Sequence, residues 1–480
     1  MSRILETIVG AIFGLICGFC ASVTLYINCL FTTLESLPKK MLGRLNSIYE
    51  FKMKLIVCLL FFIACLSIGH AYTFTSSEGA KFDGVILRIR SDTVTVKRAS
   101  DNTEFTLNKS RFSLEDQQYF EDWAETNRNM PEGRRLQAIL ADKYPQDSLY
   151  IGGTTGWKKR EQGTGYIIDR EFSYVTPEND FKQATAHPKP GIWNWEPGDE
   201  WIEHCAEINQ VVRLHGPISP QCSVWAMEDH RTAEELEQNL IEYMTAQCQR
   251  YDAYEHVKWM DVVNETITTS GRWFGPKPGT DKWENPWTII GYDLSHPLMP
   301  PMYIKMAFEI ATQHAPNTKL IINQHGGMQD MIWLTVKDLV YYLREQGLRV
   351  DGIGWQAHVD TGFEKDPYNI ERLHELIDWA HSNELSFHVT EMNAWLDPIS
   401  KDYEAQGETF AAILEALLEH RLNGEISWNV WNITDGLAWI KNRDKEGTLF
   451  DANGEAKPAY YAVQEVLENP PPPRATLNKR

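Results

Sequence analysis

Cysteine is scarce where the chain is not apolar. Of the eight in 480 residues, Cys17, Cys20, Cys29, Cys58 and Cys65 fall in apolar N-terminal segments, leaving Cys205, Cys222 and Cys248 beyond them. Three thiols allow at most one internal disulfide and leave at least one thiol free. Neither Cys-x-x-Cys nor His-Glu-x-x-His spacing occurs after the N-terminal segments. There is thus no local zinc signature, and neither a metal nor a cofactor is expected. Positive charge is also short: 46 Lys and Arg against 66 Asp and Glu give a net charge of -20. Such a surface repels nucleic acid phosphates and anionic lipid, and it is compatible with a neutral polymer substrate. His230 and His420 read as surface residues.

Two long apolar runs open the chain. Residues Thr7 to Phe31 carry no charge and are long enough to span a bilayer as a helix. Met53-Lys54 starts a second run, Leu55 to Ala71, with a basic start, an apolar middle and small residues at Gly69-His70-Ala71, the anatomy of a secretory signal. Two readings follow. In one, translation starts at Met53, residues 1–52 are an over-extended frame, 53–71 is a signal peptide, and the protein is secreted, periplasmic or on the cell surface. In the other, residues 1–52 are translated and 7–31 holds the protein to a membrane.

From Tyr72 the pattern becomes short alternating strands, around Phe82 to Ile89, Thr93 to Lys97 and Thr103 to Leu107, with turn residues at Ser91-Asp92 and Asp101-Asn102. A small all-β module is expected over 72–120. Residues 121–145 read as a polar helical connector, and the Pro-rich stretch 469–480 as a disordered tail. Between them, over 146–468, strand-like and helix-like patterns alternate, the signature of a parallel α/β fold. Eight candidate strands, the number that closes a barrel, run from Ser148 to Gly153, Phe172 to Thr176, Val211 to His215, Val257 to Asn264, Leu320 to Asn323, Gly352 to Gln356, Leu385 to Thr390 and Ile426 to Trp431. Helical spacing fills Ala233 to Gln249, Pro301 to Gln313, Val336 to Glu345 and Glu408 to His420. Seventeen Trp, sixteen of them beyond residue 150, favour carbohydrate, because indole stacks on the apolar faces of sugar rings.

The strand ends carry the chemistry. Lys258-Trp-Met-Asp-Val-Val-Asn-Glu265 and Leu385-Ser-Phe-His-Val-Thr-Glu391 are apolar runs that finish in a carboxylate. At the C-terminal mouth of a (β/α)₈ barrel, two such groups suggest an acid/base and nucleophile pair. The other ends read Glu178-Asn179, His215, Asn323, Gln356 with His358, and Trp431.

At these residues the chain resembles glycoside hydrolase family 10, mainly endo-1,4-β-xylanases on a (β/α)₈ barrel. The pieces are Thr176-Pro-Glu-Asn-Asp-Phe-Lys182, Asp261-Val-Val-Asn-Glu265, Asp351-Gly-Ile-Gly-Trp-Gln-Ala-His358, Val389-Thr-Glu391, Trp431-Asn-Ile-Thr-Asp-Gly-Leu-Ala-Trp439 and Lys457-Pro-Ala-Tyr-Tyr461. The resemblance implies Glu265 as general acid/base and Glu391 as nucleophile, with retention of configuration. It further implies that Asn264 bonds the sugar 2-hydroxyl and that His358 orients Glu391. Glu178, Asn179 and Lys182 would hold the next sugar on the glycone side, with His215, Gln356, Trp431 and Trp439 lining the site. The module over 72–120 resembles an SH3-like domain of the Sla1 homology type. A monomer acting on xylan is expected. The alternatives are a related retaining β-glycanase acting on cellulose or mixed-linkage glucan, and a carbohydrate-binding barrel without turnover.

The chain also departs from the family pattern. Ser219 and Pro220 stand where the family carries Trp and His, Gln183 follows Lys182, Asn323-Gln-His-Gly326 replaces Asn-Asp-Tyr-Asn, and Asn393 replaces an Asp. The loss of an indole at Ser219 suggests room for a branched xylan backbone.

Overall fold

The computed structural model describes residues 72–89, 93–126, 130–218, 224–227, 231–276, 285–438 and 444–475. Both apolar N-terminal runs lie outside them, as do Ser219, Pro220, Cys222, His230 and Trp439. No helix among the described residues is long and apolar enough to cross a membrane. The chain divides into two compact units, Met1–Arg128 and Asn129–Arg480.

In the first unit, β1 (Tyr72–Thr75), β2 (Lys81–Ile89), β3 (Thr93–Arg98) and β4 (Glu104–Asn108) form an antiparallel meander in that order. Strand alternation turns Val94 and Val96 inward to meet Phe74, Ile86 and Phe112. Helix α1 (Leu114–Thr126) adds Phe120 to this core, with Tyr119 and Trp123 packed alongside. Its Asp116 accepts hydrogen bonds from the Tyr72 hydroxyl at 2.9 Å and the Thr75 amide at 2.5 Å.

The second unit is built on parallel strands β5 (Leu149–Thr155), β6 (Tyr174–Pro177), β7 (Val211–Leu214), β8 (Val257–Asn264), β9 (Lys319–His325), β10 (Gly352–Gln356), β12 (Ser386–Trp395) and β13 (Ile426–Val430). Each pairs with the next, and β13 pairs back with β5, so the expected (β/α)₈ barrel closes. A short strand, β11 (His358–Asp360), pairs with the far end of β12. The strands are buried on both faces, which is why they read as nearly unbroken apolar runs. Helices α2 (Leu136–Lys143), α3 (Gly165–Glu171), α4 (Glu196–Ile208), α5 (Ala233–Tyr251), α6 (Met302–His314), α7 (Asp330–Glu345), α8 (Pro367–Ser382), α9 (Tyr403–Glu419) and α10 (Pro458–Glu468) alternate with them. Several starts are written locally. Thr232 and Glu235 form a capping box before α5, and Asp366 caps α8 with Pro367 in its first turn.

Three expectations change. β12 does not stop at Thr390 but continues through Glu391 to Trp395 with all ten residues buried, because its far end gains β11 as a partner. His420 is fully buried, not a surface residue. It follows the end of α9 and meets α8 through His374, whose Nδ1 lies 2.9 Å from its Nε2. The tail, expected to be free, is held as far as Arg474. The Arg474 amide donates to the Glu419 carbonyl at 2.7 Å, and the Arg421 guanidinium donates to the Pro471 carbonyl at 3.0 Å.

Candidate active site

Strand polarity gathers the polar ends of β6 to β13 on one rim of the barrel. Glu265 follows β8 directly, and its backbone is left-handed, with φ 58°. A glutamate rarely adopts that region, and holding it there costs about 1–3 kcal/mol. The neighbouring strand supplies the grip. The Glu265 amide donates to the Asn323 carbonyl at 3.0 Å, and the Thr266 and Ile267 amides both donate to Gln324 Oε1 at 3.1 Å.

Glu391 lies in β12, fully enclosed, and Asn323 links it to the β8 end. Asn323 Nδ2 donates to Glu391 Oε1 at 3.0 Å and to Asn264 Oδ1 at 2.7 Å, while its oxygen accepts from the Thr390 hydroxyl at 2.7 Å. Gly354 makes room for this amide: a Cβ there would stand 2.6 Å from Asn323 Oδ1. Gln356 Nε2 donates to Asn264 Oδ1 at 2.9 Å and to Glu265 Oε1 at 3.1 Å. Both bonds to Asn264 use its oxygen, so its amide nitrogen is what it can offer to a sugar hydroxyl.

The two carboxyls are driven apart electrostatically. Burial raises the pKa of Glu265, and the negative charge of Glu391 adds to it. Burial alone would also raise Glu391, but the His358 hydrogen bond and the charges of His215, His358 and Lys182 hold it below the ordinary carboxylate value. One carboxyl is thus set to keep its proton and the other to lose it, the division of labour a retaining glycosidase needs.

His358 and His215 flank Glu391, and Trp431 packs against both histidines. His358 Nε2 lies 3.2 Å from Glu391 Oε2, and His215 Nε2 lies 3.8 Å from Glu391 Oε1. His215 is anchored from behind, its Nδ1 2.8 Å from Asp261, which also pairs with the buried Arg213. The Trp431 ring stands edge-on to both histidines, with centroids 5.1 Å from His215 and 6.3 Å from His358. Glu178 is buried at the rim, Lys182 is half-buried and Asn179 exposed. Trp439 lies outside the described residues.

Two residues escaped the sequence reading. Lys159, just past β5, binds Glu178 Oε2 at 2.5 Å and lies 3.4 Å from Asn432 Oδ1. A basic pair directly after the first strand was the available signal. Gln324 gave none, because a glutamine inside a strand looks like any solvated polar residue.

A barrel whose mouth sets a proton-holding glutamate against an ionised one, with amides bridging them, belongs to the class of two-carboxylate glycoside hydrolases. Residues 140–466 match the model of glycosyl hydrolase family 10, and the chain belongs to that family.

Curated relatives include endo-1,4-beta-xylanase B of Thermotoga neapolitana, 26% identical over 347 residues, covering 69% of this chain and 91% of the relative. Endo-1,4-beta-xylanase A of Caldicellulosiruptor saccharolyticus is 27% identical over 353 residues, covering 68% and 96%. Among solved structures, native xylanase 10B from Thermotoga maritima superposes with a TM-score of 0.56 at 27% identity, covering 70% of this chain and 98% of that one. Xylanase 10B from Thermotoga petrophila in complex with xylobiose gives 0.57 at 27% identity, covering 70% and 98%.

Proposed function

We propose that this hydrolase is an endo-1,4-β-xylanase in which Glu391 attacks the anomeric carbon and Glu265 first protonates the leaving oxygen, then activates water. The observation that carries the reading is the opposite displacement of the two buried carboxyls, joined through Asn323, Asn264 and Gln356. Asn264 offers its amide nitrogen to the sugar 2-hydroxyl. Glu178, Asn179, Lys182 and Lys159 form a charged glycone wall, and Trp431 is the aromatic floor. Xylan as substrate rests on the family and on relatives that are themselves xylanases, one of them solved with xylobiose. Reducing-sugar release should be rapid from xylan and slight from cellulose, and it should vanish in Glu391→Ala. Equal or faster release from cellulose would overturn the substrate assignment. Export belongs to the same proposal, with a mature protein beginning near Tyr72. N-terminal sequencing of native protein checks this, and residues 1–50 found intact would contradict it.

A further inference from the structure

Glu178 is buried at the rim, and its two oxygens are treated differently. Oε2 accepts a hydrogen bond from Lys159 Nζ at 2.5 Å, whereas Oε1 receives none from the described residues. Lys159 is the cation paired with this carboxylate, while the charge of Lys182 is felt by Glu265 and Glu391. An ammonium has three hydrogens, and here each finds a protein acceptor: Glu178 Oε2, the Leu437 carbonyl at 3.3 Å and Asn432 Oδ1 at 3.4 Å. No donor is left over for a sugar. Whatever Lys159 does to substrate therefore passes through Glu178, whose second oxygen can still accept.

The lysine is itself held on every side. Before it, the Trp157 amide donates to Asp180 Oδ2 at 2.7 Å, an oxygen that also accepts from Trp201 Nε1 at 2.8 Å. After it, Arg160 pairs with Asp169 at 2.5 Å, and its guanidinium lies 5.0 Å from the centroid of the Trp157 ring. The Leu437 carbonyl ends a short 3₁₀ turn, Asp435–Leu437, whose first residue is anchored in turn. Asp435 accepts from the Thr448 amide at 3.0 Å and hydroxyl at 2.8 Å, and it pairs with the buried Lys457 at 3.0 Å. The motifs around Asp435 and Lys457 thus fix an acceptor that Lys159 uses. Through these bonds Lys159 joins the loops that follow β5, β6 and β13.

We propose that Lys159 is a positioning residue for the glycone: by fixing one oxygen of Glu178 it presents the other to the second glycone sugar, and so sets how strongly the enzyme prefers two glycone sugars to one. The inference rests on the reading of Glu178 as a residue of the glycone wall.

The test compares kcat/KM of the full chain for 4-nitrophenyl β-xylobioside, which has two glycone sugars, with that for 4-nitrophenyl β-xyloside, which has one. Lys159→Met should lower the ratio of the two by about ten- to a hundredfold, the range expected when a hydrogen bond involving a charged group is lost. Glu178→Gln should lower it as well. Because Lys159 works through Glu178, adding Lys159→Met to Glu178→Gln should lower the ratio little further. The single methionine variant leaves a carboxylate buried without its partner, which costs stability. Should it fail to fold, Lys159→Gln, which keeps a donor to Glu178, takes its place in the cycle, with a smaller fall expected. An unchanged ratio in the Lys159 variant, equal losses on both substrates, or effects of the two substitutions that multiply would make Lys159 a brace of the rim alone and overturn the proposal. Failure of the glycone reading would show separately, as Glu178→Gln leaving the ratio unchanged.

Discussion

At the scale of single residues, the pH range of the reaction follows from two displaced carboxyls. In the proposed mechanism turnover needs Glu391 ionised and Glu265 protonated, so it should fail on the acid side as Glu391 gains a proton and on the alkaline side as Glu265 loses one. Because the first value is lowered and the second raised, the working window is wider than two ordinary glutamates would allow. Gln324 illustrates how the acid is aimed. It is fully buried, and its Oε1 takes the amides of Thr266 and Ile267 while its Nε2 donates to the Ile267 carbonyl at 2.7 Å. Gln324→Leu keeps the volume but orphans these groups, at about 1–3 kcal/mol for each buried one. We expect a lower unfolding temperature and a loss of about tenfold or more in kcat, since a small misplacement of a catalytic group is costly. Unchanged kcat in a folded variant would show that the left-handed turn at Glu265 holds without this grip.

The histidine cluster between α8 and α9 is an element-scale device with no part in the chemistry. Burial lowers the pKa of His420 to about 3, helped by the neighbouring His374, His381 and Arg474. Burial also lowers His381 to about 4, and His374 shifts in the same direction. These folded values lie below the ordinary 6.5, so the unfolded chain takes up protons first as pH falls. Stability is therefore full above about pH 6.5 and drains away down to about pH 3–4. Thermal unfolding from pH 7.5 to pH 4.5 should show a falling Tm. His420→Asn should lower Tm at pH 7.5 while reducing its dependence on pH. A variant with the same dependence as the parent would place the acid sensitivity elsewhere.

Elements were also what the sequence made most legible. All eight barrel strands could be read because a strand covered on both faces is nearly continuous in apolar residues, and helix starts such as Thr232-x-x-Glu235 carry their own chemistry. Glu265 and Glu391 stood out as carboxylates closing apolar runs. Less was legible where polar groups are buried in pairs. Glu391 and Asn393 look like the solvent end of a strand, yet β12 continues through them because each is satisfied by His358 or by backbone carbonyls. His420 likewise looks solvated unless His374, 46 residues away in sequence, is known to sit beside it. Burial is the larger cause of the rise in the Glu265 pKa, ahead of the charge of Glu391. No local pattern states how deep a strand end will lie.

For the molecule as a whole, the central claim is that a closed barrel in a chain of net charge -20 brings two glutamates from β8 and β12 to one mouth, where Glu391 forms a covalent glycosyl-enzyme. The surrounding charge suits this role: a neutral polysaccharide meets no long-range repulsion, whereas polyanions are turned away. Retention requires that intermediate, and inversion has no place for it. The most direct test is to incubate the enzyme with a 2-deoxy-2-fluoro xylobioside bearing an activated leaving group, digest it, and locate the added mass by peptide sequencing. The account predicts one adduct, on Glu391, and a first-formed product of retained configuration by proton NMR. An adduct on another residue, or a product of inverted configuration, would contradict it.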